Sequence, residues 1–572
     1  MNPQNQGRMM IKKTGITFLA TLVVIFLAGC SKENGDSAVK LESDIKAILV
    51  EGTGTYSRKI STESELAQKF FDQGLRYAWA FHFPESIASY QQAAIHDPEH
   101  PMIYWGMAHA IGPNPNSRYS GMPDDPMGEG LKAIKKAMAL IQNATSQEKE
   151  IISALHVLYD KESVPDDDER DLAYMKASEK LQEKYPNDPD IVSIYAESYM
   201  NIGRWDYWEK DGTPKSITTK VADALENVLL TNPDHTGANH LHIHLLEASQ
   251  EPERALASAD RLEATMPIVG HVVHMPAHIY VRVGQYDKAI DSNLRSVDVD
   301  RQFLEIWGDL PLPSIGTYPL SAKIHPPHAI DFIKYAATVQ GNYEVAIKAA
   351  EDMEALMDPN NLGTVRAQTG IAGPWLINKI FGKWDVLLNT ERTAQGTPYL
   401  DGIWSYVIGS AHLANGEHSK AEIELEKIKL ILSMDDVDKY RVGANPVSTV
   451  LSMAVLALTG EIHEAHGNLE KAIEVYSDAV EIEDQNNYTE PPSWLQPMRH
   501  YLGSALLDAD RASEAEAVYR RDLKWHKNNG WSLFGLWKSL EKQGKMDEAN
   551  QIYRDFEKSW QESDITLTRS RI

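Results

Sequence analysis

The chain has 572 residues, 42% of them hydrophobic, which is enough for extensive cores. Its 82 acidic against 56 basic side chains leave a formal charge of −26, which argues against nucleic acid and against broad adhesion to anionic lipid heads, since both need a basic stripe. A single cysteine excludes an internal disulfide framework, a thiolate metal site and thiol catalysis.

In chain order the first feature is an address. Lys12 and Lys13 precede an apolar run from Ile16 to Ala28, and the run closes on Leu27-Ala28-Gly29-Cys30. A basic segment, a short apolar segment and small residues at a cleavage site make a secretory signal, and the run is too short to span a bilayer comfortably. The ending resembles the bacterial lipoprotein box. That resemblance implies residues 1–30 as a signal peptide ending at a lipidated Cys30, and a body held at the bacterial cell envelope. Membrane contact would then be through the acyl chains alone, and Ser31 after the cysteine favours the outer membrane of a Gram-negative cell. Residues 31–62 are polar and acidic and read as a flexible tether.

The body repeats itself. Gly74, Tyr77, Ser86, Tyr90, Ala93 and Pro98 form one unit; Gly284, Tyr286 and Ala289, then Gly409, Gly416 and Ala421, then Gly503, Ala515 and Tyr519 repeat parts of it. Partial units follow at Gly467, Ala472, Tyr476 and Ala479 and at Gly544, Ala549 and Tyr553. Small residues let paired helices approach, and aromatics fill the gap to the next pair. These positions resemble the tetratricopeptide (TPR) repeat family over most of the chain. The resemblance implies an all-α superhelical solenoid of antiparallel helical hairpins that recognises a protein or peptide partner in its concave groove. The spacing places a first array at 63–359, with irregular loop inserts, and a second, more regular array at 360–572.

Three inserts interrupt the first array: 112–130, 205–214 and 303–327. Loops of this length in repeat proteins usually carry function. They supply pocket candidates Asn114, Asn116, Trp205, Trp208 and Tyr318, and His109 precedes the first of them.

Seven of the 20 histidines fall between His235 and His278, where an even spread would place one or two. His240, His244 and Glu247 stand at i, i+4 and i+7 of an expected helix, on one face. His242 points elsewhere and His235 lies in the preceding turn. The run from Gly270 to Tyr280 adds His271, His274 and His278; Pro276 fits a first helical turn, with His271 and His274 in the approach loop. His325 and His328 open a later helix as weaker candidates. Gly237 to Ser249 and Gly270 to Tyr286 also resemble segments of secreted or lipid-anchored bacterial TPR proteins, a likeness that transfers no mechanism.

Imidazoles and a carboxylate suit a divalent transition metal such as zinc, copper, iron or manganese. The same residues could equally pack against neighbouring Trp and Tyr rings, each as an ordinary hydrogen-bonded histidine. The sequence therefore supports an envelope-anchored TPR scaffold that binds a partner. The alternative is a metal-dependent oxidoreductase or hydrolase built on the His240/His244/Glu247 and His271/His274/His278 cluster.

Overall fold

The computed structural model describes residues 45–115, 126–310, 312 and 325–572. Cys30 and the signal segment, Asn116 and Tyr318 lie outside the described residues. Residues 46–572 form one compact unit of helices joined by short turns, and the described strands are two two-residue pieces, Arg441–Val442 paired with Asn445–Pro446. No helix among the described residues is long and apolar enough to cross a membrane.

The first hairpin shows the building rule. Ser64 caps the helix Glu65–Trp79 by accepting from the Ala67 N–H at 3.2 Å, and the chain turns and returns as Phe83–His96. Tyr90 lies wedged between Gly74 and Gly106, on the helices before and after its own, where a Cβ on either glycine would meet the ring. Tyr519 sits the same way between Gly503 and Gly535, and Tyr476 lies against Gly460. The tyrosine follows one glycine and precedes the other by the same sixteen residues in both complete cases, so an identical knob recurs at opposite ends of the solenoid.

The packed body begins earlier than the tether expectation places it. Ala47, Val50 and Ile60 are buried, and the Val50 N–H donates to Gln73 Oε1 at 2.8 Å while the Ser61 N–H donates to Glu148 Oε1 at 3.0 Å. Side-chain amides and carboxylates of the first helices satisfy an extended backbone that has no ladder of its own. The insert expected from Phe303 also starts later. The helix Tyr286–Trp307 runs through that point, because Phe303 and Trp307 bury their rings against Tyr77 at 6.0 and 6.1 Å.

One large core extends from Ala47 to Val339 and a second from Ile371 to Ala549; a smaller one, with Ala337, Ile377 and Trp531, joins them. Late hairpins fold back on the early array. Trp531 Nε1–H donates to the Thr338 carbonyl at 2.9 Å, and buried Arg282 lies 3.7 Å over the Trp525 ring. That return brings residues near 490 to the histidine-rich helices.

Candidate metal centre

The histidines converge because four helical segments, Thr236–Leu246, Gly270–His274, Pro276–Arg282 and Pro326–Val339, meet. On Thr236–Leu246, His240 and His244 are one turn apart and face inward. His242 faces outward, 3.0 Å from Ser258 Oγ and 3.4 Å from Glu226. His235 is a cap: its Nδ1 accepts from the Ala238 N–H at 3.0 Å and its Nε2 lies 3.1 Å from Asp190. His271 and His274 belong to a short helix, Gly270–His274, rather than to an approach loop, because the backbone keeps helical angles up to Met275. Pro276 then opens Pro276–Arg282 and carries His278 one turn beyond His274. His325 and His328 come from the start of Pro326–Val339. At Gly270 a Cβ would strike the Asp300 carboxylate, so this glycine is what lets Asp300 reach the centre.

The rings form a continuous nest. Centroids are 4.7 Å apart for His240–His244, 5.0 Å for His240–His271, 4.8 Å for His274–His278 and 4.7 Å for His274–His328, and His271–His274 at 6.0 Å links the halves. Ligand-capable atoms of His240, His244 and His271 all lie within 4.8 Å of one another. The same holds for His274, His278 and His328, and for Glu247, His278 and Glu490.

Orientation is fixed from behind. His240 Nδ1–H donates to the Trp79 carbonyl at 2.6 Å, His274 Nδ1–H to Asn293 Oδ1 at 2.6 Å and His325 Nδ1–H to Asp300 Oδ2 at 2.8 Å. Each bond leaves a bare Nε2 pointing into the nest. His240 Nε2 lies 3.1 Å from His271 Nε2, and His274 Nε2 lies 2.9 Å from His278 Nε2. Two nitrogens bound to one ion at about 2.0–2.1 Å in tetrahedral geometry stand about 3.3 Å apart, close to the His240–His271 separation, whereas the shorter His274–His278 contact is that of a hydrogen bond between the two rings. Among the described residues His244 Nδ1 and Nε2, His271 Nδ1 and His325 Nε2 have no hydrogen-bond partner although all are buried. Buried polar atoms are rarely left so, and several in one cluster fit a bound ion.

Electrostatics favour the ligating form. Burial pushes His240, His271, His274 and His328 well below the ordinary imidazole range, and the neighbouring rings add to it, so all four are neutral at neutral pH. His278 differs, with its Nδ1 2.6 Å from Glu247 Oε2 and 2.8 Å from Glu490 Oε2. Burial opposes charge on His278, but the two carboxylates outweigh it and draw its pKa up. Burial raises Glu490, and the like charge of Glu247 adds to that, so the carboxylates share one cationic partner.

No family model and no curated protein matches this sequence. Solved structures do resemble it. The human IFIT1 dimer with PPP-AAAA is 15% identical, with 91% of this chain and 99% of that chain covered and a TM-score of 0.29. An IFIT1 monomeric mutant with Gppp-AAAA is 13% identical over 84% and 95% of the two chains (TM-score 0.33), and the APC/C hetero-tetramer Cut9-Hcn1 is 13% identical over 86% and 73% (TM-score 0.28). The chain's own elements make an all-α array of helical hairpins. The histidine nest has to be read from its own atoms.

The remaining candidates surround the nest. Trp205 presents its ring edge-on to His244 at 4.8 Å, while Phe81 lies 4.4 Å from His240 and Phe332 4.8 Å from His274, giving aromatic walls. Trp208 Nε1–H donates to the Leu245 carbonyl at 2.7 Å and braces the first histidine helix. His109 stands one layer back, stacked on Trp105 and 2.7 Å from Glu197, with Trp79 between it and His240; Asn114 is buried nearby. Sequence reasoning missed Glu490, Asn293, Asp300 and buried His82, whose two nitrogens have no hydrogen-bond partner among the described residues. Their only signal is spatial, since each lies on a different helix or loop from the histidine clusters.

Proposed function

We propose that this chain is a metalloprotein whose helical-repeat scaffold holds transition-metal ions in the histidine nest. One site uses His240, His244 and His271. The adjoining site uses His274, His278 and His328, with Glu247 and Glu490 beside it; His278, cationic between those two carboxylates, has to release its Nε2 proton to ligate. The observation that carries the reading is the two triads of converging imidazoles, in each of which one ring, His240 or His274, has its Nδ1–H tied to a protein oxygen, the outer-shell pattern of metal-ligating histidine. Nitrogen-rich donors without thiolate suit zinc, copper or iron, with manganese nearer the carboxylates. Three protein ligands leave a coordination position for water or substrate, as in catalytic rather than structural sites, which points to redox or hydrolytic chemistry.

The test is elemental analysis of full-length protein purified without a histidine tag or chelator, then again after incubation with zinc, copper, iron and manganese salts. Stoichiometric metal that falls by about one ion in His240→Ala and separately in His274→Ala is expected from three-ligand sites. Protein that stays metal-free after every salt would end the reading.

A second reading follows from the fold alone. Solenoids of this kind bind proteins or peptides along their concave face, and partner capture that survives metal removal would favour it. For either reading the lone Cys30 after its apolar run supports a lipid anchor at the bacterial envelope. Radiolabelled palmitate incorporated into the wild type and not into Cys30→Ser checks that anchor.

A further inference from the structure

A cavity of about 400 Å³ opens beside the nest, at the joint between the two arrays. His328 and Glu490, both nest members, form part of its wall. The rest comes from the helices Pro326–Val339, Val365–Ile380 and Pro398–Ala414 and from the loop at 489–496. Its volume suits a small molecule and excludes a folded partner.

The charge of this wall runs against that of the protein. Lys334, Arg366, Lys379 and Arg441 line it with two carboxylates, Asp331 and Glu490, in a chain of net charge −26; Lys334 pairs with Asp331 at 2.5 Å and Lys379 with Glu461, behind the wall, at 2.9 Å. The rings of Tyr399 and Tyr406 and aliphatic side chains such as Leu376 and Ile403 give it apolar wall.

Two donors on the wall decide the ligand. Trp494 and Gln496 are each 6% exposed, and neither Trp494 Nε1 nor Gln496 Nε2 has a hydrogen-bond partner among the described residues. The Gln496 amide is oriented by its other end: Tyr501 O–H donates to Gln496 Oε1 at 3.0 Å, while the Tyr501 oxygen accepts from Lys379 Nζ and contacts Tyr406 Oη at 2.9 Å. The amide N–H₂ therefore faces away from that relay. A buried donor left unmatched is destabilising, so two on one cavity wall call for a ligand that brings acceptors.

We propose that this cavity binds a small organic carboxylate, whose oxygens accept from Trp494 Nε1–H and Gln496 Nε2–H among the lysines and arginines and whose apolar part lies on the tyrosine rings. The site goes beyond the metal reading, because none of these contacts requires an ion.

The experiment is isothermal titration of benzoate and of phenylacetate into full-length protein, once dialysed against chelator and once metal-loaded, with benzyl alcohol as the uncharged control. At least one carboxylate should bind the chelator-treated protein about tenfold tighter than benzyl alcohol, the gain expected of a single hydrogen bond to a charged acceptor. The double variant Trp494→Phe with Gln496→Leu should lose about that factor or more while keeping its helical circular dichroism. The indole N–H resonance absent from Trp494→Phe should shift when the carboxylate is added. Carboxylates binding no tighter than benzyl alcohol in both preparations would overturn the proposal. So would binding unchanged in the double variant with the indole signal unmoved. Because chelator-treated protein suffices, a protein that never loads metal leaves this assignment standing, and a metal-loaded protein indifferent to both carboxylates removes only the cavity.

Discussion

Asn293 shows how little of the proposed metal centre would have to touch metal. Its amide is buried, Nδ2–H donates to the Ala289 carbonyl at 2.7 Å, and that bond turns Oδ1 toward His274 Nδ1. Loss of such a partner costs about 10–100-fold in metal affinity. Asn293→Leu should therefore weaken metal binding by that factor, read by competition with a chromogenic chelator, while His242→Gln, on the helix of His240 and His244 but turned toward Ser258, should leave it unchanged. Equal effects of the two would make the nest a packing feature. The spacing of His240, His244 and Glu247 was legible in the sequence because a helix repeats its faces every turn. Asn293, Asp300 and Glu490 were not, because a second shell is assembled from other elements and leaves no local pattern. A second residue of this kind lies behind the nest. Burial would push Asp190 up, but His235 and Arg58, with the Tyr56 hydroxyl, hold its carboxyl well below the usual range. A depressed carboxylate contributes stability that is present above its unfolded value of about 3.9 and is lost as pH falls through the folded value. Thermal unfolding followed against pH should show that loss only below about pH 4. Asp190→Ala, which strands buried His235 and leaves Arg58 only Asp188, should cost about 3 kcal/mol at neutral pH by urea unfolding.

At the scale of the element, the tyrosine between two glycines sets the spacing of helices. Gly503 and Gly535 approach Tyr519 from either side so closely that a methyl group on either would overlap the ring. Gly503→Ala should destabilise the protein by about 1–3 kcal/mol through overpacking, against a small gain in helix propensity. Urea denaturation checks it, and a neutral or stabilising result would mean that the hairpins can slide apart. This rule was visible in the sequence as glycine and tyrosine at fixed offsets, and it carried the fold class. The ordered stretch 46–62 was not visible, because extended chain held by Gln73, Gln92 and Glu148 has neither helical nor alternating periodicity. The helix to Trp307 escaped for a related reason: its last turn is held by contacts with Tyr77, far away in the chain, rather than by its own propensity.

For the whole molecule the question is why two arrays with separate cores behave as one body. Arg282 is the rivet. It is buried, and its guanidinium donates to the carbonyls of Glu247 at 2.9 Å, Ser249 at 2.8 Å and Trp525 at 2.7 Å. The first of those carbonyls belongs to a residue of the nest, and the third to the late array. Glu490, from the same late region, completes the approach to His278. Metal bound by the nest thus favours the docked arrangement over any state in which the arrays part. A ligand at 100 times its dissociation constant adds about 2.7 kcal/mol to the state that binds it. Scanning calorimetry should accordingly show a single transition that moves upward with metal, and Arg282→Met should lower that transition and shrink the metal-dependent shift. If the arrays instead melted in two resolved steps, with metal raising only the first, Glu490 would have no part in the centre. The nest would then be the property of the first array alone, and the cavity at the joint would lose the wall that connects it to the histidines.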